Sequence, residues 1–462
     1  MVETNHREDQ RLALQGGMKA VSSIEGKGEP KIGPEEFMAV ARRFGFSESA
    51  LEQIEDIIRG EDLGAGPFLA NYYSGLEETC VEKFEKTARE VFGTDYALGV
   101  NSGTSALHAA FVAVGAGPGT EVICPAIGFM ATAMAVVAAG AIPVFCDVDE
   151  SLSIDPQKIE DCITPRTVAI APTAVIGSVC DMESVMAVAE EHDLKVVEDC
   201  AQSCGAEFHG KAIGTFGDAG CFSISAYKIV GGGEGGLMIT NDKEVWQRAN
   251  QLAEGGGLWR PERFAVPRYQ RELFPGLNYR MSELEAAIDA VQLTKLSDAV
   301  NRFRTVKRRI LKDLKSFREI TPQKLNDPDG EVGYVLRFYP ETHELGAKIV
   351  EALNAEGIGC GMRGPEAGPD WHQYSHMFPI TLKKGPTEVN CPFECPIYKE
   401  RGGEVNYDRG ECPVADDLFD RMVSVSLNQW YTEEDCQNIA AGINKVFAAY
   451  GTPDDSAPGW IS

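Results

Sequence analysis

The chain has 462 residues, 44% hydrophobic and 24% charged, and its 70 Asp and Glu outnumber 43 Lys and Arg to give a formal charge of −27. That length can bury a large core and suggests two to four domains, and the composition is that of a soluble globular protein. The acid excess argues against nucleic acid and anionic membrane as partners, since both need a basic footprint, and no stretch approaches the ~20 apolar residues of a membrane span.

The first ten residues are charged and lack the apolar core of a signal peptide. The thirteen cysteines are an odd count, mostly set in apolar runs such as Val122-Ile123-Cys124. They read as free thiols of a reducing compartment, which predicts a cytoplasmic protein.

In chain order, residues 1–30 are polar and glycine-bearing and read as a mobile arm. Helices are predicted over 34–44 and over 49–58, the second from Leu51, Ile54, Ile57 and Ile58 at helical spacing. From about 93 to 240, short β-branched runs at 120–124, 142–148, 167–172 and 194–198 alternate with helical ones, two of which open at Asp155-Pro156 and near Met182. Such alternation predicts a mainly parallel sheet covered on both faces.

Three segments in this region carry candidate chemistry. The strand-like 96–100 runs into Asn101-Ser102-Gly103-Thr104-Ser105 and then an apolar helix. A helix start of this kind is an anion site, because its exposed N–H groups and dipole favour a phosphate while Thr104 and Ser105 add hydroxyls; a plain Ser/Thr cap is the alternative. Next, Val196-Val197-Glu198-Asp199 ends a strand in an acid. Acids at strand ends of such sheets face the ligand crevice, although Asp199 could also be a helix N-cap. Finally, an apolar run from Cys221 delivers Lys228 into the turn Gly231-Gly232-Gly233-Glu234-Gly235-Gly236. A lone amine with backbone room beside it suits imine chemistry on a bulky ring, whereas an ordinary strand-end lysine beside a hairpin would serve no reaction.

Further on, Ser282 followed by Glu285 predicts a capping box opening a helix. After about 295 the pattern changes to a long charged helix over 296–317, a strand over 334–339, a helix over 344–356 and a terminal helix over 433–450. The stretch 364–412 is irregular and rich in Gly, Pro and aromatics, longer than a routine connection, and is expected to form part of a pocket. It holds His372, His376, Cys391, Cys395 and Cys412. The two cysteines nearest each other do not reproduce a two-residue knuckle, so no metal is assigned and these residues are expected to pack the insertion or line the substrate entrance.

Taken in order, these motifs resemble the DegT/DnrJ/StrS family of sugar aminotransferases, a branch of the fold-type-I enzymes that use pyridoxal 5'-phosphate (PLP). The resemblance runs from about Leu63 to Phe447, through 93–107, 124–132, 142–149, 196–206, 214–241 and 276–287. It implies an α/β fold: a large domain with a mainly parallel seven-stranded sheet between helices, and a small α+β C-terminal domain. The corresponding boundaries are 1–60 for the arm and helices, 61–295 for the large domain and 296–462 for the small one.

Residue by residue, the resemblance implies that Lys228 forms the imine with PLP and that Asp199 partners the pyridine nitrogen. Gln202 would sit at the ring's 3'-oxygen side and Phe129 would stack on the ring, although a lone Phe is more often core. Gly103, Thr104, Ser105 and Ser223 would hold the phosphate, with Asn278 reaching it from a neighbouring subunit of a homodimer with shared sites. The chain departs from the family at Thr173-Ala174-Val175-Ile176-Gly177, where a histidine is common, and at Ser225 and Tyr227 beside the lysine, so the pocket is individual. The activity implied is ping-pong transfer of an amino group from glutamate or glutamine to a keto-sugar or keto-cyclitol. A PLP-dependent sugar dehydratase or lyase, or a non-catalytic PLP-binding regulator, is the alternative. Arg363 would favour a nucleotide-linked acceptor if it points inward.

Overall fold

The computed structural model describes residues 11–23, 31–62, 69, 78–256, 273–365 and 370–460. The arm expected over 1–30 therefore falls largely outside the described residues, as does the start of the family resemblance near Leu63. The chain divides into two compact units, 1–70 and 71–462. In the first, helices α1 (Pro34–Ala41) and α2 (Glu48–Arg59) pack Met38, Ala41 and Leu51 together. Ser47 caps α2 by accepting the Ala50 N–H.

The second unit opens with α3 (Cys80–Phe92), started by a complete Thr79/Glu82 capping box and ended by left-handed Gly93. There follow β1 (Tyr96–Val100), α4 (Gly103–Ala113), β2 (Glu121–Pro125), α5 (Ala131–Ala138), β3 (Ile142–Cys146), β4 (Thr167–Ile170), α6 (Met182–Glu191), β5 (Lys195–Asp199), β6 (Ala219–Ser223), β7 (Gly236–Thr240) and α7 (Lys243–Ala253). The seven strands form one sheet in the order β1-β7-β6-β5-β4-β2-β3. Only β7 runs against the rest, pairing antiparallel with both β1 and β6. Continuous apolar runs make this possible: β2 and β7 are buried along their whole length because helices cover both faces. One face packs Phe84, Phe222 and Leu237, the other Leu98, Phe111 and Met238. Each fully buried side chain of this size contributes roughly 1.5–3 kcal/mol.

Helix α8 (Glu283–Leu293) leads to the C-terminal part, built from α9 (Leu296–Leu311), β8 (Ile320–Pro322), β9 (Val335–Pro340), α10 (His343–Ala355), β10 (Cys360–Gly361), α11 (Pro413–Arg421), β11 (Val423–Ser426) and α12 (Glu433–Tyr450). Its four strands lie in the order β8-β9-β11-β10, all antiparallel. The charged helix expected over 296–317 stops at Leu311. Asn444 of α12 takes the Lys315 N–H and donates to the Asp313 carbonyl, and Phe317 turns into the core against Phe447. The helix ends early because a neighbouring element satisfies its orphan groups.

The insertion is largely irregular, as expected, with short helical turns at Phe378–Thr381 and Pro396–Glu400. It has an apolar core of its own: Met377, Ile380, Phe393, Tyr398 and Tyr407 pack on Met130, Ala133 and Ile142. Tyr407 donates its hydroxyl to the carbonyl of Pro143 in the edge strand β3, and Tyr398 to buried Glu121. Among the described residues no helix is long and apolar enough to cross a membrane.

Candidate active site

Strands β1, β2, β5 and β6 all run parallel, so their C-terminal ends share one edge of the sheet, where open α/β sheets bind ligands. Gly103, Phe129, Asp199 and Ser223 follow or end these four strands. Because β7 is reversed, the glycine turn entering it at Gly236 lies at the same edge.

Asp199 is buried at the end of β5. The helix-cap reading fails, since no helix follows it. Its Oδ1 accepts the Ala201 N–H at 3.0 Å and its Oδ2 the Thr132 hydroxyl at 2.5 Å. Burial pushes its carboxyl above the ordinary aspartate value, opposed by those two donors and by the charge of Lys228. Lys228 sits half-buried in the turn beyond β6, its N–H bonded to the Ser225 carbonyl at 2.9 Å. Burial pushes the ammonium below the ordinary lysine value against the pull of Asp199. The charge of each group thus acts on the other.

Lys228 lines a cavity of about 390 Å³ together with Tyr227, Gln202, Ala201, Ile176 and Tyr334. Gln202 is held from two sides: its Oε1 accepts the Ile176 N–H at 2.9 Å and its carbonyl the Tyr334 hydroxyl at 2.8 Å. Tyr227 is fully exposed.

At the start of α4, Ser102 caps the helix by accepting the Ser105 N–H, and the Ser105 hydroxyl turns inward to Asn101 Oδ1 at 2.7 Å. Ser105 therefore orders the cap, while Thr104 is exposed. A Cβ on Gly103 would lie 2.8 Å from that of Ser223, so only glycine lets the helix start close on the end of β6. Phe129 is 38% exposed, which removes the core reading, and its ring lies 5.3 Å from that of His372. The insertion is stitched to this loop by the main chain, with the N–H groups of Gly128 and Met130 bonded to the carbonyls of His372 and Trp371 at 2.8 Å each.

Asn278 is exposed; its Oδ1 accepts the Arg280 N–H, and the carbonyl of Tyr279 beside it takes the Asn101 N–H of the same chain. The capping box expected at Ser282 is only half formed. Ser282 caps α8, but the Glu285 carboxylate accepts the Glu234 N–H of the glycine turn instead, because that turn's orphan amide lies within reach. Arg363 is paired with Asp370, which also accepts from His372. The insertion's histidines and cysteines do not form a metal cluster: among the described residues the one group close enough is the exposed trio Glu160, Glu191 and His192.

Sequence reading missed Thr132, Tyr334 and Asp370. Thr132 carried a signal, since it lies one helical turn beyond Phe129; the others act across long sequence separations.

Residues 74–367 match the sequence profile of the DegT/DnrJ/EryC1/StrS aminotransferase family. The chain belongs to this family. Its members transfer amino groups, and the seven-stranded architecture is that of fold type I. A GDP-perosamine synthase from Caulobacter vibrioides is 40% identical over 219 residues, 47% of this chain and 57% of that protein. A putative L-glutamine:3-amino-2,3-dideoxy-scyllo-inosose aminotransferase from Micromonospora echinospora is 29% identical over 447 residues, 95% of this chain and 97% of that protein. The crystal structure of an aminotransferase from Psychrobacter cryohalolentis superposes with a TM-score of 0.67 at 25% identity, covering 88% of this chain and 98% of that one.

Proposed function

We propose that this aminotransferase uses PLP, held at Lys228, to move an amino group from glutamate or glutamine to a keto-sugar or keto-cyclitol. The observation that carries the reading is buried Asp199 and half-buried Lys228, each within reach of the other's charge at the C-terminal edge of the sheet, with the glycine-only approach of Gly103 to Ser223 beside them. These residues fit the cofactor. Asp199 is a buried carboxylate whose charge a pyridinium would offset; the start of α4 at Gly103 offers N–H groups for a phosphate; and exposed Phe129 offers a flat apolar face.

When bound, PLP supplies the electron sink that makes the α-proton of an amino donor acidic. The chain supplies the rest. Thr132 and the Ala201 N–H fix the direction in which Asp199 presents its charge. Lys228, its proton affinity reduced by burial, would take a proton from one carbon and return it to another. Gly103, Thr104 and Ser223 anchor the phosphate through both halves of the reaction, which keeps the reacting carbon in register with Lys228 Nζ. Asn278 joins them from a second copy in a shared-site homodimer, as the family resemblance implies.

For the acceptor, both a GDP-perosamine synthase and a putative inosose aminotransferase are among the relatives. The alignment with the latter runs through the insertion that backs Phe129. Borohydride treatment of the purified protein with PLP, followed by peptide mass spectrometry, should find the reduced cofactor on Lys228. Glutamate-dependent amination of keto-sugars and inososes should vanish in Lys228→Ala. Labelling elsewhere, or unchanged turnover in that variant, would overturn the assignment.

A further inference from the structure

Behind Ile176 and Ser426, which it shares with the Lys228 cavity, lies a second cavity of about 390 Å³. Arg337 of β9 lines it and is 2% exposed. Its hydrogen-bond partners are both neutral and distant, Gln323 Oε1 at 3.4 Å and the Ile176 carbonyl at 3.3 Å, and its Nε has no partner. The carboxylates nearby are committed elsewhere. Glu331 is bridged to buried Lys307 at 2.5 Å, and Asp370, on the same cavity wall, is held by Arg363 and His372. Arg337 is thus left without a carboxylate of its own. A buried guanidinium without a counter-ion costs several kcal/mol, and its planar fork matches a carboxylate in two parallel hydrogen bonds.

We propose that this second cavity is a carboxylate-binding subsite in which Arg337 is the cation. Ile127, Leu152 and Phe419 furnish its apolar wall, which suits a short carbon chain behind the charged group and disfavours a hydrated inorganic anion. The carboxylate comes either from the amino donor itself or from a separate carboxylate metabolite. The first source rests on the proposed function; the subsite itself does not.

The test is calorimetric titration of the purified full-length protein with glutarate and with its neutral twin pentanediamide. The wild type should bind glutarate and not the diamide. Arg337→Gln should weaken glutarate by roughly 10- to 100-fold, the loss expected for hydrogen bonds to a charged group, and Arg337→Lys by less. Ser424→Phe, which fills the cavity and leaves the guanidinium in place, should also abolish binding and carries the test if Arg337→Gln does not fold. Equal glutarate affinity in Arg337→Gln or in Ser424→Phe, equal binding of the diamide, or no binding by the wild type would each overturn the subsite. Steady-state inhibition then separates the sources. Competition with glutamate identifies the donor's own carboxylate, and noncompetitive inhibition a separate ligand. Because the primary readout is binding, it stands even if the amino-transfer reading fails.

Discussion

Thr132 and Asp199 are 67 residues apart in sequence, yet the hydroxyl of one is the closest donor to the carboxylate of the other. That contact sets the first prediction. Thr132→Val keeps the shape and removes the donor, so turnover should fall by roughly 10- to 100-fold through loss of a hydrogen bond to a charged group. Asp199→Asn should cost several orders of magnitude. Melting temperatures close to wild type in both would separate chemistry from folding, and full activity in Thr132→Val would show that Ala201 alone orients the acid. At this scale the sequence was most informative about Lys228, Asp199 and Gly103, because each sits where a strand meets a turn and a local pattern marks the junction. Ser105 is the instructive miss. Its hydroxyl was expected to face an anion and instead bonds Asn101, a choice between two nearby acceptors that no spacing rule decides.

Helix α8 places Asp289 beneath the glycine turn that leads from Lys228 into β7. The side chain is fully buried, neither oxygen has a partner, and a side chain at Gly232 would strike Oδ1. Burial, and then the charge of Glu285 one turn earlier, pushes its pKa up to about 7. Since this lies above the ordinary value of 3.8, the native state holds the proton between the two values. Stability therefore declines as pH rises from about 4 to about 7, and the whole penalty is present above that range. Asp289→Asn should raise unfolding free energy at pH 8 by up to about 4 kcal/mol, with a smaller gain at pH 5, measured by urea melts at both. An equal gain at both pH values would place the effect in packing rather than ionisation. Gly103→Ala tests the other wall of the site. Crowding Ser223 should cost about 1–3 kcal/mol of stability and loosen PLP retention, read by dialysis. The Ser282 cap located the start of α8, and β-branched runs located most strands of the large sheet to within a few residues. The capping pattern did not foresee that Glu285 would leave its own helix cap for the glycine turn, because that acceptor's alternative partner is 51 residues away.

For the molecule as a whole, the mainly parallel sheet follows from the alternation visible from about residue 93 and the C-terminal part from the change of pattern near 295, whereas the antiparallel pairing of its strands and the fold of the insertion do not. Its aromatic residues show no period and acquire meaning only against β3 and α5. The shared-site arrangement can be tested at this scale. Lys228→Ala and Asn278→Ala chains, each impaired alone, should regain part of their activity when mixed, because one site of a heterodimer inherits both intact residues. With subunit exchange verified, no recovery would mean that Asn278 serves its own chain. The clasp of Tyr407 on the Pro143 carbonyl has a further consequence, for redesign. The segment that backs Phe129 also shields the outermost strand of the large sheet, so exchanging it with a relative's to alter acceptor choice would bare a hydrogen-bonding rim to other chains. Exchanging the loop therefore tests acceptor choice and resistance to aggregation together, and a soluble graft would carry its own tyrosine for that carbonyl.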